Sequence, residues 1–113
     1  AAQILKNVQN RFPRNNEISR GFAKVEYLRG NYKSARAFAE KALTYYSMDV
    51  GAMQIITKAN MGLGDNQAAL SSINKTLEID PHSPENHCLY ARVLANVHGP
   101  GAGIDYINRK IEE

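Results

Sequence analysis

A chain of 113 residues, 43% hydrophobic and 22% charged, has the length and composition of one ordinary globular domain. By size scaling it should fold from about 18,000 Å² of extended surface to roughly 6,200 Å², enough burial for a core without staples. One cysteine excludes an internal disulfide framework, no apolar run reaches the ~18 residues of a membrane span, and a net charge of +3 is too weak alone to mark a nucleic-acid binder.

Taken in order, the chain reads as helices. A first is expected near residues 1–11, ended by Pro13. Ile18, Phe22 and Val25 then recur at spacings of four and three and predict a helix over 16–29, opened by Asn15 and Asn16. Gly30 supplies a C-terminal stop and Asn31 an N-cap, after which Ala35, Phe38, Ala39, Ala42 and Leu43 predict a helix over 33–46. Ala52, Ile55, Ile56, Ala59 and Leu63 form the stripe of a helix over 50–63. Gly64 and Asp65 repeat the stop and cap, and Ala69, Leu70, Ile73 and Leu77 mark 66–79. Asp80-Pro81 breaks the chain, Ser83-Pro84-Glu85 starts a helix over 84–97 with Leu89, Tyr90, Val93, Leu94 and Val97, and Ile104, Ile107 and Ile111 mark 100–112. No stretch alternates as a strand does. The expected class is all-α, about seven helices joined by short turns and therefore antiparallel to their neighbours.

Sliding the chain against itself by 34 residues exposes a repeat. Ala1, Ala35, Ala69 and Gly103 align, all small; Leu5, Ala39, Ile73 and Ile107 align, all apolar. Val8, Ala42 and Thr76 follow, then Pro13, Ser47 and Pro81. Phe22, Ile56 and Tyr90 form another row, each followed by a small residue, Ala23, Thr57 or Ala91. Small side chains at fixed places let two helices approach closely, and a helix pair that cannot bury its own apolar faces must stack on its neighbours.

In these rows the chain resembles the tetratricopeptide repeat (TPR) family. The best copy is 50–83, with Ile56-Thr57, Gly64-Asp65, Ala69, Ile73 and the closing Leu77-Glu78-Ile79-Asp80-Pro81. The copy at 16–49 carries Phe22-Ala23, Gly30-Asn31-Tyr32, Ala35 and Ala42-Leu43, with Ser47 in place of the proline. The copy from residue 84 is degenerate: Gly103 stands for the alanine and Lys110 fills a place that is usually small. Residues 1–15 resemble the second helix of a preceding repeat, and truncation at both ends predicts a longer native chain. The resemblance implies a right-handed α-solenoid of antiparallel helix pairs. Its first helices would line a concave groove that binds peptides, helices or partner domains and performs no chemistry.

If the first helices line a groove, its residues follow by elimination. They are Arg20, Lys24, Tyr27 and Leu28, then Gln54, Lys58 and Met61, then Cys88, Arg92 and Asn96. One row is basic in every copy, Lys24, Lys58 and Arg92, with no carboxylate three or four residues away on the same helix. That row is either a ladder for an acidic or carboxylate-bearing ligand, or a solvated face paired with acids on adjacent helices. Glu40, by contrast, has Arg36 one turn away. Charge is also uneven along the chain: residues 1–49 hold nine basic and four acidic side chains, residues 50–113 five and seven. An acidic partner should therefore prefer the N-terminal half. The family's clamp for a C-terminal carboxylate would meet Arg20 and Lys24, but also Ile55, Glu85 and Leu89 where an amide and a basic pair are needed, which argues against that mode.

Other chemistry is thin. His82, His87 and Cys88 are close in sequence, but His82 falls in a turn and the other two point about 100° apart on one helix, so no metal site is expected. The glycine-rich 98–103 lacks the Lys-Ser/Thr of a phosphate loop. No catalytic arrangement stands out and no cofactor is expected. The leading expectation is a protein-interaction module that binds a peptide or partner segment in its groove, with an acidic protein or peptide as partner, or that scaffolds a multiprotein assembly. The alternative is a helical-repeat RNA binder, for which Gln54 and Asn96 are the inner-face amides.

Overall fold

A computed structural model of the chain describes residues 15–112. They form six helices: α1 (Asn16–Leu28), α2 (Tyr32–Tyr45), α3 (Val50–Gly62), α4 (Asn66–Ile79), α5 (Pro84–His98) and α6 (Pro100–Glu112). No strand occurs among the described residues, and each helix end lies within one residue of its expected place. The helix expected near 1–11 lies outside the described residues.

Turn chemistry sets the hairpins. Gly30 and Gly64 hold φ of 82° and 78°, the left-handed region in which a Cβ is strained. At the first turn the Gly30 N–H bonds the Tyr27 carbonyl at 3.0 Å and the Asn31 N–H the Glu26 carbonyl at 2.9 Å. At the second, Gly64 and Asp65 do the same to Met61 and Asn60, at 3.1 and 2.9 Å. Both turns thereby satisfy the orphan carbonyls of the helix they end. Asp65 then accepts the Ala68 N–H at 3.1 Å and starts α4.

Two expected caps are corrected. The Asn31 side chain turns back to Glu26, its amide donating to Oε2 at 2.9 Å, and its oxygen accepts no N–H of α2. Ser83 makes no side-chain cap bond; its backbone carbonyl takes the Asn86 and His87 N–H groups, so one of the donors a side-chain cap would serve, that of Asn86, is already bonded.

The helices pair as α1 with α2, α3 with α4 and α5 with α6, and the pairs stack so that α1, α3 and α5 lie side by side. The small rows sit at the contacts. Ala23, Ala35, Ala39, Ala42, Ala52, Ala59 and Ala69 are fully buried. Gly103, in register with Ala35 and Ala69, lets α6 approach so closely that a Cβ there would lie 2.5 Å from the Ala91 carbonyl oxygen. Between the pairs lie two apolar clusters. One is alanine-rich around Ile55 and Ile56; the other joins Ala69 and Ile73 to Leu89 and Val93. Phe22 stacks on Phe38 with ring centroids 4.9 Å apart, and two repeats later Tyr90 meets Tyr106 at 4.7 Å.

The last stripe is corrected. Ile104 and Ile111 are 62% and 76% exposed, since no described helix follows α6 to cover that face. Tyr106 takes the core position on α6, with the Lys110 ammonium 5.6 Å from its ring. Leu63, at the C-cap of α3, is also exposed.

Candidate functional site

The faces of α1 and α3 turned away from α2 and α4 enclose a cavity of about 400 Å³. Arg20, Lys24, Tyr27 and Leu28 line it from α1, and Gln54, Ile55 and Lys58 from α3. Glu17, Gly21, Gly51 and Glu85 complete its wall. Six of the ten expected groove residues therefore meet in one place: Arg20, Lys24, Tyr27, Leu28, Gln54 and Lys58. Met61 instead packs half-buried against the Ala69–Leu89 cluster, while Cys88, Arg92 and Asn96 are exposed on α5 outside the cavity.

The cations of the cavity differ in what they touch. Arg20 Nη1 donates to Asp49 Oδ1 at 2.8 Å. Asp49 is nearly fully buried, and it also accepts the Asn16 amide at 3.0 Å and the Ala52 N–H at 3.1 Å, which makes it the N-cap of α3. Burial by itself pushes the Asp49 carboxyl up. The hydrogen bonds from Asn16, Arg20 and Ala52, together with the Arg20 charge, outweigh that and hold it below the usual carboxylate value. Gly51 leaves the space in which the Arg20 stem lies, since a Cβ there would fall 2.9 Å from Arg20 Cδ.

Gln54 occupies the position one repeat after Arg20 and reaches forward in the same way. Its amide donates to Asn86 Oδ1 at 2.7 Å, and the Asn86 amide donates on to the Asp80 carbonyl at 3.0 Å. One repeat position thus ties each inner helix to the start of the next, by an ion pair first and an amide pair second.

Lys24 and Lys58 make no such contact. Neither they nor Arg92 lies within ion-pair distance of a carboxylate among the described residues, whereas Arg36 does pair with Glu40, at 3.9 Å. Around the two lysines, Tyr27 and Ile55 offer apolar surface and Leu28 is 74% exposed. The cavity can therefore accept anionic groups at its lysines and apolar groups between them, with Glu17 and Glu85 setting a negative edge.

Sequence reasoning missed Asp49. The signal was there: Asn15, Asp49 and Ser83 are spaced by 34 and all of residue types that favour caps, and Asn15 does accept the Glu17 and Ile18 N–H groups at 2.8 and 3.2 Å. His87 is placed by packing, with Nδ1 2.6 Å from the Tyr106 hydroxyl and Nε2 2.6 Å from the Pro81 carbonyl oxygen. The carbonyl can only accept, so Nε2 carries a proton, and in the neutral ring Nδ1 accepts from the tyrosine. Among the described residues no three His, Cys, Asp or Glu side chains converge, and no helix is long and apolar enough to cross a membrane.

No protein-family profile and no curated protein sequence matches the chain. Solved structures do. The crystal structure of MamA superposes with a TM-score of 0.82 at 18% identity, covering 96% of this chain and 63% of MamA. A MamA RS-1 double mutant gives 0.84 at 15%, covering 97% and 62%. YrrB, described as a TPR protein with an unusual peptide-binding site, gives 0.81 at 19%, covering 99% and 58%. The chain thus spans less than two thirds of the length of each of these proteins. Six helices in antiparallel pairs among the described residues, small residues at the 34-residue rows and these superpositions together establish the tetratricopeptide-repeat fold for this chain.

Proposed function

We propose that the chain is a non-catalytic protein-interaction module whose inner groove takes a peptide or partner segment bearing acidic side chains. One observation carries this reading: Lys24 and Lys58 line a single cavity with no carboxylate of the described residues within ion-pair distance, beside the apolar surface of Tyr27, Leu28 and Ile55. An anionic segment would relieve their repulsion and be steered into the groove, while its apolar residues would bury against the wall. Arg20 and Gln54, held by Asp49 and Asn86, shape that wall. The description of YrrB as a peptide-binding protein of this fold supports the same class of partner. Single-stranded RNA is the lesser reading, because the Gln54 amide that would read a base is engaged with Asn86.

The test is fluorescence anisotropy on the full chain with three labelled probes: a peptide mixing glutamates with leucines, the same peptide with lysines for glutamates, and a single-stranded RNA oligomer. Each is titrated across a salt series. The acidic peptide should bind most tightly and weaken only modestly with salt. Equal binding of the lysine peptide would remove the lysines from the account. Tighter RNA binding with a steep salt slope would replace it with the nucleic-acid reading.

A further inference from the structure

A second trough lies on the other side of the molecule. Two adjoining cavities of about 540 and 450 Å³ share Glu40, Ile56 and Ser72, so they form one channel along the seam between α2 and α4. The two helices pack on α3 and not on each other, and α3 forms the floor. None of these residues belongs to the inner groove.

Its two ends differ in chemistry. Leu43, Met53, Ile56 and Ile79 make one end apolar, with Lys75 and Glu78 beside it as opposite charges. Tyr46 and Met48, which flank the lining residue Ser47 in sequence, are 52% and 48% exposed. Lys33 and Arg36 make the other end basic. Arg36 is held by the Asn60 side-chain oxygen at 2.9 Å and pairs with Glu40, at 3.9 Å, so the uncompensated charge of this end is Lys33, which has no carboxylate within ion-pair distance among the described residues. Both cations lie near the start of α2, where the helix dipole adds positive potential. Between the ends, Ala37 and Ser71 are small, so a partner can come close.

We propose that this outer trough is a docking site for an amphipathic helix of a partner protein, its leucine-type face over Leu43 and Ile79 and its acidic residues over Lys33 at the start of α2. The charge asymmetry selects an acidic end. A helix fits better than a strand because the walls are helices whose backbone groups are already bonded, which leaves an extended segment nothing to pair with. The 14 residues of α2 make a trough of about 21 Å, the length of roughly four helical turns. The site is independent of the inner groove and does not rest on the function proposed for it.

The experiment uses the full chain and a labelled, C-terminally amidated helical peptide of about sixteen residues, leucines on one face at one end and glutamates at the other. Ser71→Trp fills the trough from α4, and Ala37→Trp does so from α2 should the first variant fold poorly. Lys33→Glu reverses the basic end, and Lys58→Glu is the inner-groove control. Binding should weaken roughly tenfold or more with either tryptophan and several-fold with Lys33→Glu, and be unchanged by Lys58→Glu. No binding at about 1 mM peptide would overturn the proposal. So would loss of binding in Lys58→Glu alone, which puts the peptide in the inner groove, or a dimer of the free chain that the tryptophan variants abolish, which puts a second copy in the trough.

Discussion

Replacing Gly103 by alanine should destabilise the chain, while the same change at Gly21 should stabilise it. Both glycines lie inside helices, and Gly→Ala in a helix interior gains about 1 kcal/mol of propensity. At Gly21 nothing lies within 4 Å of the added Cβ, so most of that gain should survive. At Gly103 the Cβ would sit 2.5 Å from the Ala91 carbonyl oxygen and 3.3 Å from its carbon. That neighbour is backbone in the middle of α5 and cannot rotate aside. Overpacking of this kind costs about 1–3 kcal/mol, and a rigid obstacle places it in the upper half of that range. Gly103→Ala should therefore lose about 1–2 kcal/mol net and Gly21→Ala gain about 0.5–1, a separation of roughly 1.5–3 kcal/mol between identical substitutions. Urea unfolding followed by circular dichroism at 222 nm measures both. If the two variants shift stability in the same direction by the same amount, α5 and α6 do not approach as described and the small row at 35, 69 and 103 has lost its meaning.

Other outcomes follow from the same packing and electrostatics. Ala69 is fully buried at the equivalent contact, so Ala69→Leu should cost about 1–3 kcal/mol in the same urea assay. The Asp49 carboxyl is held below its ordinary value in the folded chain, so its stabilising contribution is present above the unfolded value and lost as pH falls through the folded one. Acid titration of stability should accordingly be steeper in the parent protein than in Asp49→Asn. Parallel curves would mean that the buried carboxylate is not linked to folding. Tyr106→Phe leaves His87 Nδ1 without its donor and should cost about 1 kcal/mol, with a matching upfield or downfield change at the His87 ring in the NMR spectrum.

Local chemistry explains why some features could be read from the residues and others could not. Gly30 and Gly64 announced their turns because a positive φ leaves glycine as the strain-free choice, and the small rows announced close contacts because only small side chains permit them. Both signals are properties of single positions repeated at a fixed period. The ties that shape the groove are of another kind. Arg20 meets Asp49 across 29 residues and Gln54 meets Asn86 across 32, so each depends on how one repeat sits on the next. Elimination on a helical wheel placed Arg20 and Gln54 on the inner face without showing that neighbouring helices already engage them. Ile104 and Ile111 went the other way, because the 3.6-residue stripe says which face is apolar but not whether another helix covers it.

Stopped-flow association of the labelled acidic peptide with Lys58→Glu, at low salt, tests the inner-groove account most directly. Lys58 is half-buried and has no carboxylate partner among the described residues, so its reversal should change folding stability little and act mainly on the encounter. The account predicts an association rate lower by roughly three- to tenfold, a much smaller change in dissociation, and a difference that fades as salt screens the groove. An association rate equal to that of the parent protein at low salt would contradict it, and would leave Lys24, Lys58 and Arg92 as a solvated face of the solenoid.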